Sequence, residues 1–283
     1  MSNKFHSKPF QSTKEEIKHK TSKHGYTLAF TDQNFLVREE LRPVRLQLEL
    51  LRPELIMQDY GVEETIVFFG SARLPDPAAA QQALKQAQLA LTENPNDARL
   101  QFKVKQAERI KENSAYLEEA TKLAYLISTD PRSTFIVATG GGPSFMEAAN
   151  KGAYQAKARS AAFNITLPFE QESNIYVTPE LTFQFHYFAL RKMHFLIRAK
   201  ALISFPGGFG TLDELFEVLT LMQNQKIEKM PILLFHEKFW RRIVNFEALI
   251  EEGTISPEDL ELIQYTETAE HAWKVICDFY QLT

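Results

Sequence analysis

Short apolar, β-rich runs recur along the chain between helical stretches, and this alternation constrains the fold more than any other feature. The runs are nearly continuous in apolar character, which is typical of strands buried on both faces of a parallel sheet. They lie at 65–69, 134–139, 161–167, 181–185, 201–205 and 231–235. The clearest helical stretches lie at 143–157, 187–199, 211–224, 238–251 and 267–281. The sequence therefore predicts an α/β protein with a Rossmann-like, doubly wound parallel sheet flanked by helices.

One stretch breaks this rhythm, because residues 77–128 are far longer than a single crossover helix needs. The stretch is rich in Ala, Gln, Leu, Lys and Glu, and the turn-forming residues Asn94-Pro95-Asn96-Asp97 interrupt it. The sequence predicts a helical hairpin of 78–92 and 97–113, inserted over about 77–113, before a crossover helix near 115–128.

The first 60 residues are predicted to form an N-terminal extension. Their start is polar and rich in lysine, which is typical of poorly ordered termini. From Asp32 onwards, apolar residues recur at helical spacing. We therefore expect a partly disordered and then helical extension over 1–60, followed by a Rossmann-like domain over 61–283.

Composition excludes several classes of function. The 283 residues carry a net charge of −4, which does not favour binding to nucleic acid or to an anionic membrane. The only cysteine is Cys277, so neither an internal disulfide nor a thiolate metal cluster is expected. No run of 18 apolar residues occurs, and no apolar segment follows the lysine-rich start as it would in a secretory signal. These features predict a cytoplasmic protein without a membrane span.

Three predicted strands end in turns that contain glycine and lead towards helices. The turns are Gly70-Ser71, Gly140-Gly141-Gly142 and Pro206-Gly207-Gly208-Phe209-Gly210-Thr211. In an open parallel sheet, ligands bind beyond the carboxyl ends of the strands, so the three turns are expected at one edge. Free N–H groups at a helix start attract anions, and glycine lets the backbone approach closely, so the turns favour a phosphate. Tight turns also need glycine for geometry alone, and that alternative stays open for each turn.

Charged residues lie next to these turns. Arg191 and Lys192 follow the fourth predicted strand, and Asp213 and Glu214 lie in the first turn of the helix after Thr211. Acidic residues are common at helix starts for electrostatic reasons alone. The functional alternative is an arginine–glutamate pair beside a bound phosphate. Neither a Walker A motif nor a dinucleotide fingerprint is present, so a nucleoside triphosphate or dinucleotide site is not expected.

The motif from Pro206 to Glu214 resembles the P-G-G-x-G-T-x-x-E signature of the LONELY GUY (LOG) family, whose members were often labelled possible lysine decarboxylases. The resemblance extends over roughly 62–265. It includes Gly70-Ser71, Gly140-Gly141-Gly142 followed by Met146, Pro168-Phe169-Glu170, Arg191-Lys192, Thr220 and Gly253-Thr254-Ile255-Ser256-Pro257. The chain departs from the family pattern at Ala72, at Ser144-Phe145 in place of Gly-Leu, and at Phe195 in place of methionine. The extension and the insertion are absent from short plant-type members, so the chain looks closer to longer bacterial relatives.

The resemblance implies hydrolysis of the N-glycosidic bond of a nucleoside 5′-monophosphate, AMP-like or a cytokinin riboside monophosphate, to free base and ribose 5-phosphate. It implies that Arg191 and Glu214 are catalytic and that Glu170 hydrogen-bonds the ribose. The remaining implied substrate-binding residues are Gly70, Ser71, Gly140, Gly141, Gly142, Lys192, Pro206, Gly207, Gly208, Phe209, Gly210, Thr211, Asp213 and Thr220. Related proteins are usually dimers or larger, so a homodimer or higher homo-oligomer is expected, with no cofactor and no metal.

Three other functions remain open, and one of them is an interaction protein built on the helices of 1–60 and 77–113. A nucleotide-binding or sensing module would keep the same glycine turns without turnover, although it would not need the pair of Arg191 and Glu214. A decarboxylase would need a lysine that forms a Schiff base with pyridoxal phosphate. Lys192 or Lys200 could be proposed for that role, but no feature of the sequence singles out either one.

Overall fold

A computed structural model describes residues 28–168 and 172–282 of the chain. It divides into two compact units, Met1–Leu48 and Glu49–Thr283. The predicted disorder at the start of the extension falls on residues 1–27, outside the described residues, and the predicted domain boundary near residue 60 stays a prediction. Among the described residues, no helix is both long enough and apolar enough to cross a bilayer.

The first unit contains short helical elements. Its described part holds the 3-10 helix Ala29–Thr31, helix α1 (Gln33–Leu36), the 3-10 helix Glu39–Leu41 and the beginning of α2 (Arg42–Asp59). Asp32 caps α1, because its side chain accepts a hydrogen bond of 3.1 Å from the backbone N–H of Phe35. The residues after Asp32, whose apolar spacing predicts helices, are therefore largely helical.

The second unit is built on a seven-stranded parallel sheet. The strands are β1 (Thr65–Phe69), β2 (Ile136–Thr139), β3 (Ser160–Ile165), β4 (Thr182–Phe185), β5 (Ala199–Ser204), β6 (Ile232–Phe235) and β7 (Ile263–Thr266). Their order in the sheet is β4-β3-β2-β1-β5-β6-β7, and every neighbouring pair is parallel. The chain thus winds outwards from β1 in both directions, which confirms the predicted doubly wound, Rossmann-like fold.

Helices connect the strands and cover the sheet. They are α3 (Pro77–Glu93), α4 (Ala98–Ser114), α5 (Tyr116–Thr129), α6 (Phe145–Gln155), α7 (Phe188–Ile197), α8 (Phe209–Gln223), α9 (Glu237–Ile243), α10 (Phe246–Glu251) and α11 (Ala269–Tyr280). The 3-10 helices Pro179–Leu181 and Pro257–Leu262 precede β4 and β7. Apolar residues of the sheet and of α5, α6 and α11 share one continuous buried core.

The inserted hairpin, α3 and α4, has the predicted place and length. Asp76 caps α3 by accepting from Ala79 N at 2.9 Å, and Asp97 caps α4 by accepting from Arg99 N at 2.7 Å. The two helices share a small buried cluster of their own, centred on Leu84. The hairpin therefore carries its own local core beside the core of the sheet.

Two features differ from the sequence prediction. Strand β7 was not predicted, because Ile263–Thr266 is a short edge strand in which only Thr266 is buried. The predicted helix over 238–251 is two helices, α9 and α10. The break lies at Asn245, whose side chain accepts from Ala248 N at 3.1 Å and so starts a new helix.

Helices α5 and α6 are in close contact at Gly152. An added Cβ at this residue would overlap the backbone carbonyl oxygen of Thr121 and lie 2.8 Å from the Cβ of Ala124. Glycine is therefore required in the middle of α6 by packing, although it is a poor helix former.

We predict that Gly152→Ala destabilises the protein. The added methyl group must push α6 away from α5, which lowers the free energy of unfolding by roughly 1–3 kcal/mol even though alanine favours helix formation. Denaturant unfolding measures the change. Lys151→Ala, on the exposed side of the same helix, is the control and is expected to change stability by less than about 0.5 kcal/mol. An unchanged or higher stability of Gly152→Ala contradicts this packing argument.

Candidate functional site

The central position of β1 brings the three glycine-bearing turns together. β1 lies between β2 and β5, so the turns after these strands are neighbours at the carboxyl edge of the sheet. The backbone N–H of Ser71 donates to the carbonyl oxygen of Pro206 at 3.0 Å, which links the first turn to the third. Behind the first turn, an added Cβ at Gly70 would lie 2.7 Å from the ring of Phe145, so no side chain fits there.

The turn from Pro206 to Thr211 opens helix α8 with its backbone towards open space. No heavy atom lies within 4 Å of the position that a Cβ would take at Gly208 or Gly210. Among the described residues, the N–H groups of Phe209, Gly210 and Thr211 have no hydrogen-bond acceptor, as expected for the first turn of a helix. These amides can therefore receive an anion at the positive end of the helix dipole.

Thr211 is packed under this turn. Its side chain is buried, and an added Cβ at Gly207 would overlap its Oγ1 atom. Glycine at position 207 therefore lets the chain fold over the threonine side chain. Phe209, in contrast, has 93% of its surface exposed, so within one chain its ring does not line the turn.

Arg191 and Glu214 meet beside the turns. Arg191 Nη2 lies 3.3 Å from Glu214 Oε1, and the side chain of each residue is only 11% exposed. Arg191 Nε donates to the carbonyl oxygen of Phe163 at 2.8 Å, and its guanidinium lies 5.0 Å from the centre of the Phe195 ring. An added Cβ at Gly140 would lie 2.8 Å from Arg191 Nη2, so the second glycine turn forms one wall for the guanidinium. The sequence prediction that these two residues form a pair is thus matched by their geometry.

Burial governs the ionisation of this pair. Burial raises the pKa of Glu214 to about 7, against the opposing attraction of Arg191. Burial also lowers the pKa of Arg191, although a guanidinium stays protonated at neutral pH. Glu214 is therefore a carboxyl group that can gain or lose a proton near neutrality, next to a fixed positive charge.

Lys192 and Asp213 are the sequence neighbours of Arg191 and Glu214, and they form an ion pair of their own. Lys192 Nζ is 3.1 Å from Asp213 Oδ1 and 2.7 Å from Glu217 Oε2. The hydrogen bond to Glu217 is the largest of the contacts that raise the pKa of Lys192. The positive charge of Lys192 is thus balanced by two carboxylates at the rim of the site.

One predicted substrate-binding residue, Thr220, is not brought to the turn. Thr220 lies nine residues beyond Thr211 on α8, about 14 Å along the helix axis. Its hydroxyl donates to the carbonyl oxygen of Phe216 at 2.7 Å on the exposed side of the helix. Glu170 falls outside the described residues, so its predicted ribose contact stays a prediction.

The structure also reveals residues that the sequence analysis did not single out. The side chains of Thr139, Asn150 and Asn174 hold the turn Gly140–Gly142 through hydrogen bonds. Asn150 is fully buried within α6, and a polar residue on the apolar face of a predicted helix is the signal that could have identified it. Among the described residues, no group of three or more His, Cys, Asp or Glu side chains is placed to hold a metal ion.

Part of the chain is similar to known proteins. The family model described as "possible lysine decarboxylase" matches residues 146–276, which include α7, α8 and the pair of Arg191 and Glu214. A cytokinin riboside 5′-monophosphate phosphoribohydrolase of Arabidopsis thaliana is 34% identical over 90 residues, which cover 31% of this chain and 42% of that protein. A probable phosphoribohydrolase of the same name from Oryza sativa subsp. japonica is 36% identical over 81 residues, covering 28% of this chain and 38% of that protein.

The matched part of the chain thus spans less than half of the length of these curated relatives. Among solved structures, the molybdenum cofactor binding protein of Rippkaea orientalis has a TM-score of 0.44 and 17% sequence identity, over 77% of this chain and 99% of that protein. The residues matched by the family model include the Pro206–Glu214 motif, so this part of the chain is similar to the family described as possible lysine decarboxylases.

Proposed function

We propose that this chain hydrolyses the N-glycosidic bond of a nucleoside 5′-monophosphate and releases the free base and ribose 5-phosphate. The observation that carries the proposal is the buried pair of Arg191 and Glu214, which lies beside the free amides of the turn Pro206–Thr211. A protein that only bound nucleotides would need the amides but not the buried acid. The substrate is AMP-like or a cytokinin riboside monophosphate, and the plant relatives are named for the latter.

The phosphate is proposed to bind at the start of α8. The N–H groups of Phe209, Gly210 and Thr211 have no acceptor among the described residues, and the open space at Gly208 and Gly210 lets phosphate oxygens approach. Because this contact is remote from the glycosidic bond, its binding energy can be used to position the ribose.

The acid is proposed to act on the sugar. Cleavage of the glycosidic bond builds positive charge on the ribose, by analogy with the oxocarbenium-like transition state of glycoside hydrolysis. Ionised Glu214 stabilises this charge and removes a proton from the attacking water, while Arg191 stabilises negative charge on the departing base. Glu170 is proposed to hydrogen-bond the ribose hydroxyls.

Lysine chemistry is less consistent with these residues, despite the description of the family model. A Schiff base forms from a neutral amine, whereas contacts with Glu217 and Asp213 raise the pKa of Lys192 and favour its charged form. Lys200 lies near the start of β5, 3.7 Å from Glu64, at the sheet edge opposite the turns. Neither lysine is therefore suited to the role that a decarboxylase requires.

We expect the purified protein to release adenine and ribose 5-phosphate from AMP, with a screen of the common monophosphates identifying the preferred base. Glu214→Gln should lower kcat/KM by ~10²–10⁴-fold, because it removes the base and the negative charge. Chromatographic detection of the free base measures the activity of the unmodified protein and of Glu214→Gln. Glu251→Gln, on the exposed surface of α10, is the control and should retain full activity. Binding of AMP without release of base by the unmodified protein would support a binding module instead.

The activity should depend on the ionisation of Glu214. The charged groups that affect its pKa are Arg191 and Lys192 from α7, and Asp213 and Glu217 from α8. Because the ionised form is required and the pKa is raised to about 7, kcat/KM should fall about tenfold per pH unit below pH 7 and level off above it. A pH–rate profile measures this dependence.

Unfolding gives a check of the same pKa that does not need turnover. The ordinary glutamate pKa is 4.5, so between pH 4.5 and 7 the folded state holds a proton that the unfolded chain has released. Stability should therefore fall as pH rises through this window, by up to about 3 kcal/mol relative to Glu214→Gln. A flat difference between the two proteins across this range would contradict the raised pKa.

We also propose that the protein is a homodimer through the groove between α7 and α8. The groove, of about 490 Å³, is lined by Lys192 of α7 and by residues of α8 that include Leu212, Phe216 and Leu221. The exposed ring of Phe209 lies at its edge, and large exposed aromatic residues are typical of interface anchors. A second copy on this face would cover Phe209 and bring a partner surface close to Thr220.

We expect the unmodified protein to be dimeric in light scattering, and Phe209→Glu to weaken the dimer at least about tenfold, because it places a charge in an apolar contact. Leu89→Glu, which changes another exposed apolar residue, on the hairpin helix α3, is the control and should leave the dimer intact. A monomeric unmodified protein, or an equal effect of both variants, would contradict this interface.

A further inference from the structure

The second glycine turn is held by a buried hydrogen-bond network that has no role in the proposed chemistry. The turn follows β2, and Gly141 has a φ of 74°, a left-handed conformation that glycine adopts without strain. Thr139 Oγ1 accepts from the N–H of Gly141 at 2.9 Å and donates to Asn150 Oδ1 at 2.8 Å. Asn150 Nδ2 donates to Ser160 Oγ at 3.0 Å, which connects α6 to the start of β3.

Asn174 connects this network to the loop after β3. Its Nδ2 lies 3.1 Å from the carbonyl oxygen of Gly141, 3.2 Å from that of Gly142 and 2.9 Å from Asn150 Oδ1. Its backbone N–H donates to the carbonyl oxygen of Gly141 at 2.9 Å, and its Oδ1 accepts from the N–H of Tyr176 at 3.2 Å. The side-chain amide of Asn174 thus donates to the turn Gly140–Gly142 and accepts from the backbone of its own loop.

The turn that Asn174 holds is also the wall beside the catalytic arginine. The guanidinium of Arg191 lies against Gly140, where an added Cβ would come within 2.8 Å of Nη2 and 2.9 Å of Met146 Sδ. Arg191 is fixed on another side by the carbonyl oxygen of Phe163. A movement of the turn would therefore open space beside Arg191 and loosen its contact with Glu214.

We infer that Asn174 is a positioning residue, which fixes the turn Gly140–Gly142 as the wall that holds Arg191 against Glu214. The inference rests on the proposed function for its effect on the reaction, whereas the hydrogen bonds are independent of that function. Asn174 itself touches neither Arg191 nor Glu214 through any of the hydrogen bonds given above, so it acts through the turn.

The test compares Asn174→Ala with Asn174→Asp and with Ile276→Val. Asn174→Ala removes the donors, and Asn174→Asp keeps the shape but places a carboxylate against two carbonyl oxygens, so neither can hold the turn. Each should lower kcat/KM for the preferred monophosphate by ~10–100-fold, since small misplacements near reacting groups have effects of this size. Ile276→Val creates a small cavity in the buried face of α11, away from the turns, and controls for a general loss of stability.

Two further measurements separate positioning from a purely structural role. The acid limb of the pH–rate profile should move to higher pH in Asn174→Ala, because a loosened Arg191 attracts the Glu214 carboxylate less, and it should not move in Ile276→Val. Amide hydrogen exchange should increase in peptides that cover Gly140–Gly142 and the loop around Tyr176, with little change elsewhere.

The outcomes distinguish this inference from the proposed function. If the unmodified protein releases no base from any monophosphate, the proposed function fails, and the exchange measurement still tests the hold of Asn174 on the turn. If Asn174→Ala keeps the kcat/KM, the pH profile and the exchange pattern of the unmodified protein, Asn174 is not a positioning residue. If Asn174→Ala and Ile276→Val lose activity in proportion to stability and share one pH profile, the inference is also overturned.

Discussion

The central position of β1 in the parallel sheet is the constraint on which the site depends. Because the chain winds from β1 to β2 on one side and to β5 on the other, the turns that follow these three strands must lie together at one edge. The crevice that results contains two helix starts, α6 and α8, with their unpaired amides. The charged residues of this crevice are Arg191 and Glu214. They come from helix α7, which precedes β5 in the chain, and from helix α8, which follows it.

Burial of an ion pair at this edge has an energetic consequence. Removing two charges from water costs several kcal/mol per ion, and the attraction between them offsets this cost only when geometry and further hydrogen bonds are favourable. Arg191 has such a further bond to Phe163, whereas for Glu214 the effect of burial exceeds the attraction of Arg191, as its raised pKa shows. The pair is therefore a weak source of stability, whereas a displaced pKa at this position is what the proposed reaction would use.

The sequence was sufficient for most of the fold because buried parallel strands are visible as apolar runs. Six strands and the inserted hairpin were predicted, whereas β7 was missed because an edge strand with one exposed face lacks such a run. The site was predicted only in part. The contact between Arg191 and Glu214 follows from sheet topology and motif spacing. The hydrogen bond from the side chain of Asn174 to Gly141, in contrast, joins residues that are 33 positions apart. Such a contact depends on the conformation of the two loops that contain Gly141 and Asn174, and no periodicity in the sequence of either loop predicts it.

The departure from the family pattern at Ser144-Phe145 has a structural explanation. Ser144 takes a φ of 64°, a conformation that glycine adopts freely and that costs other residues about 1–3 kcal/mol. Phe145, in turn, is fully buried and stacks on Phe205 at 4.7 Å, and Phe205 stacks on Phe235 at 4.4 Å. This row of aromatic rings lies beneath the first and third turns, since the ring of Phe145 fills the space behind Gly70 and Phe205 immediately precedes Pro206. Burying a large aromatic side chain contributes about 1.5–3 kcal/mol. That gain is similar in size to the strain at Ser144, and the row of rings lies beneath the edge at which we propose that the phosphate binds.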